Sequence, residues 1–102
     1  MKEILHLQAR YCTCFSHEKR LQILYFLKNG EKSVGDIATA TGLTPQNVSQ
    51  HLRIMKDRGV LLSRKNGQTV LYRVSNKKFI KGCELIQQAL KEELSRRRNM
   101  VA

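Results

Sequence analysis

A mainly α-helical fold closed by one β-hairpin is what this sequence of 102 residues predicts. Three observations carry that expectation. Apolar residues recur at helical spacing near both ends of the chain, two short capped helices stand back to back in its middle, and one Asn-Gly pair separates two aliphatic runs. The expected order is four helices, a hairpin and a fifth helix, forming one unit over residues 1–102.

From residue 2 to about 15, Ile4, Leu7, Tyr11 and Cys14 follow at spacings of three and four, which lines one face of a first helix. That stripe needs a cover. Ser16 can cap a second helix reaching about residue 28, with Leu21, Leu24 and Leu27 inward and Asn29-Gly30 at its end. Ser33 and Asp36 have the spacing of a capping box, and Ile37 and Ala40 follow in a third helix that stops at Gly42.

Thr44 caps a fourth helix and Pro45 fits its first position, where no backbone N–H is needed; Gly59 follows its end near Arg58. Two helices joined by a Gly-containing turn of this length make a helix-turn-helix. Residues 60–65 and 68–74 then read as the arms of a hairpin, a wing, turned by Asn66-Gly67. Past Ser75-Asn76 a fifth helix runs to about Arg96 with Ile80, Cys83, Ile86, Leu90 and Leu94 on one side. It is a second uncovered stripe.

The 19 Lys and Arg outnumber the 8 Asp and Glu, and the resulting formal charge of +11 favours a polyanionic partner. Nucleic acid fits that balance better than a membrane, because no apolar run approaches the roughly 20 residues of a spanning helix. A cytoplasmic location is expected. No phosphate loop, nucleophile elbow or metal-hydrolase signature occurs, and Cys12-Thr13-Cys14 is not the Cys-x-x-Cys of thiol oxidoreductases, so no enzyme is expected.

The fourth helix carries the functional reading. Val48, Leu52 and Met55 at i, i+4 and i+7 turn inward, leaving Gln46, Ser49, Gln50 and Arg53 on the opposite face. Gln pairs bidentately with adenine, Arg with guanine and Ser with either, so these side chains suit base edges in a major groove. Thr44 and Asn47 open the same helix and join the expected contact set. Nearly every surface helix has a polar face; the short capped helix just before this one is what favours duplex DNA.

The hairpin adds Arg64, Lys65, Gln68 and Arg73 near an exposed tip, suited to phosphate or minor-groove contacts. Charge on an edge hairpin also guards against aggregation, which is the alternative reading. A winged helix serving protein or RNA contacts is the rival function, since a scaffold does not fix its site. Arg96, Arg97 and Arg98 sit where cations complement a helix C-terminus and read as solvated.

The run Phe15-Ser16-His17-Glu18-Lys19-Arg20-Leu21-Gln22-Ile23-Leu24, the segment Ser49-Gln50-His51-Leu52, then Gly59-Val60 and Val70-Leu71-Tyr72 resemble the ArsR/SmtB family of bacterial and archaeal repressors. The resemblance spans nearly the whole chain. It implies a winged helix-turn-helix homodimer, packed through its first and last helices, that holds a palindromic operator until an inducer acts. His51 belongs to the matched motif, with two roles open: a phosphate contact, or a hydrogen bond that steadies the turn.

Family members sense metals, metalloids or modified thiols. Ser33-Val34-Gly35-Asp36 stands where a metal-binding cysteine pair often lies, and the last helix has no histidine, so the family's best-known metal sites do not carry over. Cys12, Cys14 and Cys83 remain, as sensors or as packed core residues. No cofactor is required on this reading. Thiolates suit soft ions, so a metal or metalloid held by all three is one option. Cys12 and Cys14 diverge by roughly 200° on a regular helix, however, and a disulfide or polysulfide bridge from Cys83 to either one needs less distortion.

Overall fold

The computed structural model describes residues 1–101. The helices are α1 (Lys2–Cys14), α2 (Glu18–Phe26), α3 (Val34–Thr41), α4 (Pro45–Asp57) and α5 (Lys78–Val101), and the strands are β1 (Lys32–Ser33), β2 (Leu61–Asn66) and β3 (Thr69–Val74). A single 3₁₀ turn, Leu27–Asn29, extends α2. The expected winged helix-turn-helix is present, with one strand more than the sequence suggested.

Local chemistry sets most boundaries. Ser33 Oγ accepts the Asp36 N–H at 3.1 Å while the Asp36 carboxylate accepts the Ser33 N–H, so the capping box closes as expected. Gly42 ends α3 at φ +73 and Gly59 follows α4 at φ +83, the left-handed region that other residues rarely occupy. The N-cap of α2 is His17 rather than Ser16: His17 Nδ1 accepts the Lys19 N–H at 3.1 Å, whereas the Ser16 hydroxyl donates to the Thr13 carbonyl. Ser16 is already committed to closing α1.

The core lies where α2, α3 and α4 meet the root of the wing. Ile23, Leu24, Ile37, Val48, Leu52, Met55 and Val60 are fully buried, and Leu27, Leu61, Cys14 of α1 and Ile80 and Cys83 of α5 complete the cluster. Each large apolar side chain buried this way contributes roughly 1.5–3 kcal/mol. On α3 the packed alanine is Ala38, half-buried, while Ala40 is exposed.

The sheet has the order β1-β3-β2, antiparallel throughout. Asn66 pairs with Thr69, so the two-residue loop is Gly67-Gln68 and not Asn66-Gly67. Gly67 at φ +66 with no non-Gly residue at positive φ fits a type II′ turn, which wants its glycine first. β1 pairs Lys32 with Tyr72 and Ser33 with Leu71, tying the start of α3 to the wing.

The last helix is longer than its pattern indicated. The buried residues of α5 stop at Cys83, and Leu85, Ile86, Leu90 and Leu94 stand 52–65% exposed. Its outer half projects beyond the core. On α1, Ile4, Leu5 and Leu7 are likewise 46–61% exposed, so both stripes stay uncovered within one chain.

A candidate DNA interface and a thiol-lined cleft

Thr44 and Pro45 start α4 in a fixed direction, because Thr44 Oγ1 accepts the Asn47 N–H at 3.1 Å and proline occupies the first position. Val48, Leu52 and Met55 anchor the helix with no exposed surface. At 100° per residue, Gln46, Gln50 and Arg53 fall opposite that row, with Ser49 on one flank and Asn47 and Ile54 on the other. All of these polar side chains are exposed. Thr44 is exposed as well, though its hydroxyl already serves as the cap.

His51 does not share that open face. Its ring meets the His17 ring edge-on, with centroids 4.7 Å apart, and its buried Nδ1 has no hydrogen-bond partner among the described residues. Burial, then the nearby His17 and Arg20, lower its pKa and favour the neutral ring. The contact joins α4 to the start of α2.

Cross-strand pairing divides the basic wing residues. Leu62 pairs with Arg73 and Arg64 with Leu71, placing Arg64 and Arg73 on one face, while Lys65 opposite Val70 lies on the other and Gln68 sits in the turn. Arg64 is engaged: its Nε and Nη2 each reach a Glu31 carboxylate oxygen at 2.8 Å. That bidentate pairing lowers the Glu31 pKa, first through the hydrogen bond. Lys65, Gln68 and Arg73 remain exposed at the wing. Glu31 was no candidate from sequence, because a pair 33 residues apart leaves no local signal.

If the open row reads bases, Gln50→Ala and Arg53→Ala should each weaken a preferred duplex by roughly 1–3 kcal/mol more than a random one. Parallel titrations of both duplexes by fluorescence anisotropy measure this. Equal losses would make the two side chains backbone contacts.

The thiols occupy two different environments. Cys12 is exposed and Cys83 nearly buried, and both line an apolar cleft of about 450 Å³ between α1 and α5, walled by Tyr11, Phe15, Phe79 and Ile86. Burial, then the neighbouring Cys12, raises the Cys83 pKa. Cys14 is fully buried in the core, where burial raises its pKa against the opposing pull of Arg20 and Arg58.

The three cysteines therefore do not form one ligand set. Among the described residues no three His, Cys, Asp or Glu side chains converge as a metal site, and Cys12, Cys14 and Cys83 are not gathered as the expected soft-ion option would need. The reason is helical: Cys14 faces the core while Cys12 faces the cleft. No described helix is long and apolar enough to cross a membrane.

Residues 17–62 match the model of the bacterial regulatory protein, arsR family. The Escherichia coli HTH-type transcriptional regulator YgaV is 36% identical over 83 residues, which cover 74% of this chain and 84% of YgaV. The regulator Rv0324 of Mycobacterium tuberculosis is 33% identical over 87 residues, 85% of this chain; the chain spans only 38% of that longer protein. Among solved structures, the homodimeric winged helix-turn-helix DNA-binding domain Mb0332 of Mycobacterium bovis superposes with a TM-score of 0.83 at 32% identity, covering 93% of this chain and 88% of that one. The transcriptional repressor BigR of Xylella fastidiosa gives 0.78 at 25% identity over 87% of this chain and 91% of its own. A helix-turn-helix with a polar outer row, a paired wing and these relatives have one common account: the chain belongs to the ArsR family of bacterial regulatory proteins and is a winged helix-turn-helix DNA-binding regulator, not an enzyme.

Proposed function

We propose that the chain acts as one unit in the cytoplasm, pairs with a second copy through α1 and α5, and represses transcription from an inverted-repeat operator. The observation that carries this reading is the open row Gln46, Gln50 and Arg53 on a capped, core-anchored α4 beside a basic wing. A two-fold pair presents two such helices to half-sites about one helical turn, roughly 34 Å, apart. BigR, named as a repressor, and the homodimeric Mb0332 domain support the direction of regulation and the assembly.

We further propose that oxidation of Cys12 and Cys83 releases the operator. Cys12 is the accessible thiol and Cys83 the shielded partner in the same cleft. With a hydroperoxide, the two thiols give up two protons and two electrons, an S–S bond forms, and the O–O bond is reduced to an alcohol and water. A bridge across the cleft draws α1 and α5 together, and that is how a thiol reaction would turn the paired recognition helices.

The test selects a duplex from a randomised library with reduced protein, then challenges the complex with hydroperoxide, polysulfide and arsenite. Release by hydroperoxide or polysulfide, reversed by dithiothreitol and absent in Cys12→Ser and Cys83→Ser, supports both parts. Binding that survives all three agents, or variants that release as wild type does, overturns the thiol part. Failure to select any sequence overturns the repressor reading itself.

A further inference from the structure

The aromatic wall of the cleft does not end at the cleft. Tyr11 stacks on Phe79 of α5 with ring centroids 5.2 Å apart and planes 15° from parallel, and Phe15 approaches the same Phe79 ring at 5.9 Å. The Tyr11 hydroxyl lies over Gly59, so close that a Cβ on Gly59 would sit 2.6 Å from it. Gly59 follows the C-cap of α4 and closes its last turn: its N–H donates to the Lys56 carbonyl, the Val60 N–H donates to the Met55 carbonyl, and its own carbonyl accepts the Ser75 hydroxyl at 2.6 Å. Tyr11 thus touches the dimer helix on one side and the foot of the recognition helix on the other.

A second contact runs beside it. Arg58, the C-cap of α4, donates through Nη1 to the Arg10 carbonyl at 3.4 Å and to the Thr13 hydroxyl. These acceptors flank Tyr11 on the last turns of α1. The tie is steric at Gly59 and polar at Arg58, and it grips α4 at one end only. The opposite end of α4 carries Gln46.

We infer that this clamp of Tyr11 on Gly59 and Arg58 on the end of α1 is the device by which the state of the α1–α5 cleft sets the angle of the recognition helix. Tyr11 and Arg58 are positioning residues: neither lies on the open row of α4. A displacement of α1 toward α5 moves the Tyr11 ring together with the Arg10 and Thr13 acceptors, and so shifts the α1 surface that the α4 terminus meets. The inference rests on α4 being the recognition helix, as proposed above.

The experiment compares affinity for the selected duplex with affinity for a random duplex, using the full chain. Loss of folded protein lowers the active fraction on both duplexes alike, so their ratio reports helix placement. Tyr11→Ala and Gly59→Ala should each reduce the ratio by about tenfold, within the roughly 5- to 150-fold span usual for coupled sites. The double variant Tyr11→Phe/Gly59→Ala should regain part of the Gly59→Ala loss, since the hydroxyl that the new Cβ meets is gone while the strain of a Cβ at φ +83 is the same in both variants.

A second arm reads the cleft, through the rate at which iodoacetamide alkylates Cys12. Bound operator should change that rate in wild type and leave it unchanged in Tyr11→Ala. A Tyr11→Ala protein with the wild-type ratio and the wild-type response of Cys12 overturns the clamp, as does a double variant no better than Gly59→Ala. Should Gly59→Ala not fold, Tyr11→Ala decides alone. Wild type showing no preference between the duplexes would sink the DNA reading instead, so the two failures are distinct.

Discussion

Raising the salt from about 50 to 200 mM is expected to weaken operator binding about a thousandfold, because phosphate neutralisation releases condensed counterions with a log–log slope near −0.9 per neutralised phosphate. The structure sets which cations can do this. Lys65 and Arg73, on opposite faces of the wing, and Arg53, which offsets backbone charge as well when it enters the groove to read a base, are exposed cations, three in each protomer and six in a dimer. A slope of about −5 follows, which over a fourfold change in salt gives about three orders of magnitude.

Arg64 does not add to the six because Glu31 already holds its guanidinium through two hydrogen bonds of 2.8 Å. An internal control follows. Arg64→Ala should leave the slope unchanged, whereas Lys65→Ala or Arg73→Ala should flatten it by about 2, since each protomer then neutralises one phosphate fewer. Anisotropy titrations at four or five salt concentrations measure all of these. A slope near zero in wild type would remove phosphate contacts from the mechanism, and a slope that flattens in Arg64→Ala would show that the Glu31 pair opens on DNA.

The difference between Arg64 and its neighbours shows what a sequence can and cannot convey. Ser33-Asp36 and Thr44-Pro45 announce their helices because a cap is made with residues three apart, and both caps form as read. The inward row of α4 was equally legible, since burial of Val48, Leu52 and Met55 follows from period alone. What escaped was decided by distant partners or by competition between neighbours. Glu31 takes Arg64 from 33 positions away, the Ser16 hydroxyl is claimed by Thr13 before it can cap, and β1 is too short to show a period.

The cysteines make the same point at the candidate sensor. Their types and spacing suggested that both ends of the chain could bring thiols together, and Cys12 and Cys83 do line one cleft. Cys14, two residues on, is turned into the core by the same helical period that gives Cys12 its exposure. Tyr11 appeared only as one member of an apolar stripe. Its contact with Gly59 depends on how α1 crosses the end of α4, which no local pattern encodes.

Replacing Ile86 or Leu90 with glutamate is expected to split the dimer and to lower affinity for an inverted repeat by about 10²- to 10⁴-fold, the advantage that linking two half-site contacts provides. Exposure gives the reason: Ile86 is 62% and Leu90 57% exposed on the projecting half of α5, one turn apart on one face, with Leu94 a further turn along. Ile4 and Leu7 of α1 stand beside the start of that face, across the cleft they share with Ile86. A carboxylate buried there without a partner costs several kcal/mol, more than a small dimer interface tolerates. The core is untouched by either change, because burial on α5 stops at Cys83, so the variants should keep their helical signal and melt as folded monomers. Sedimentation velocity reads the assembly and anisotropy reads the affinity on the same samples. A glutamate variant that stays dimeric would move the interface off α5. A monomer that still holds the full repeat as tightly as wild type would show that one winged helix suffices, and the two-fold logic of the operator would fall with it.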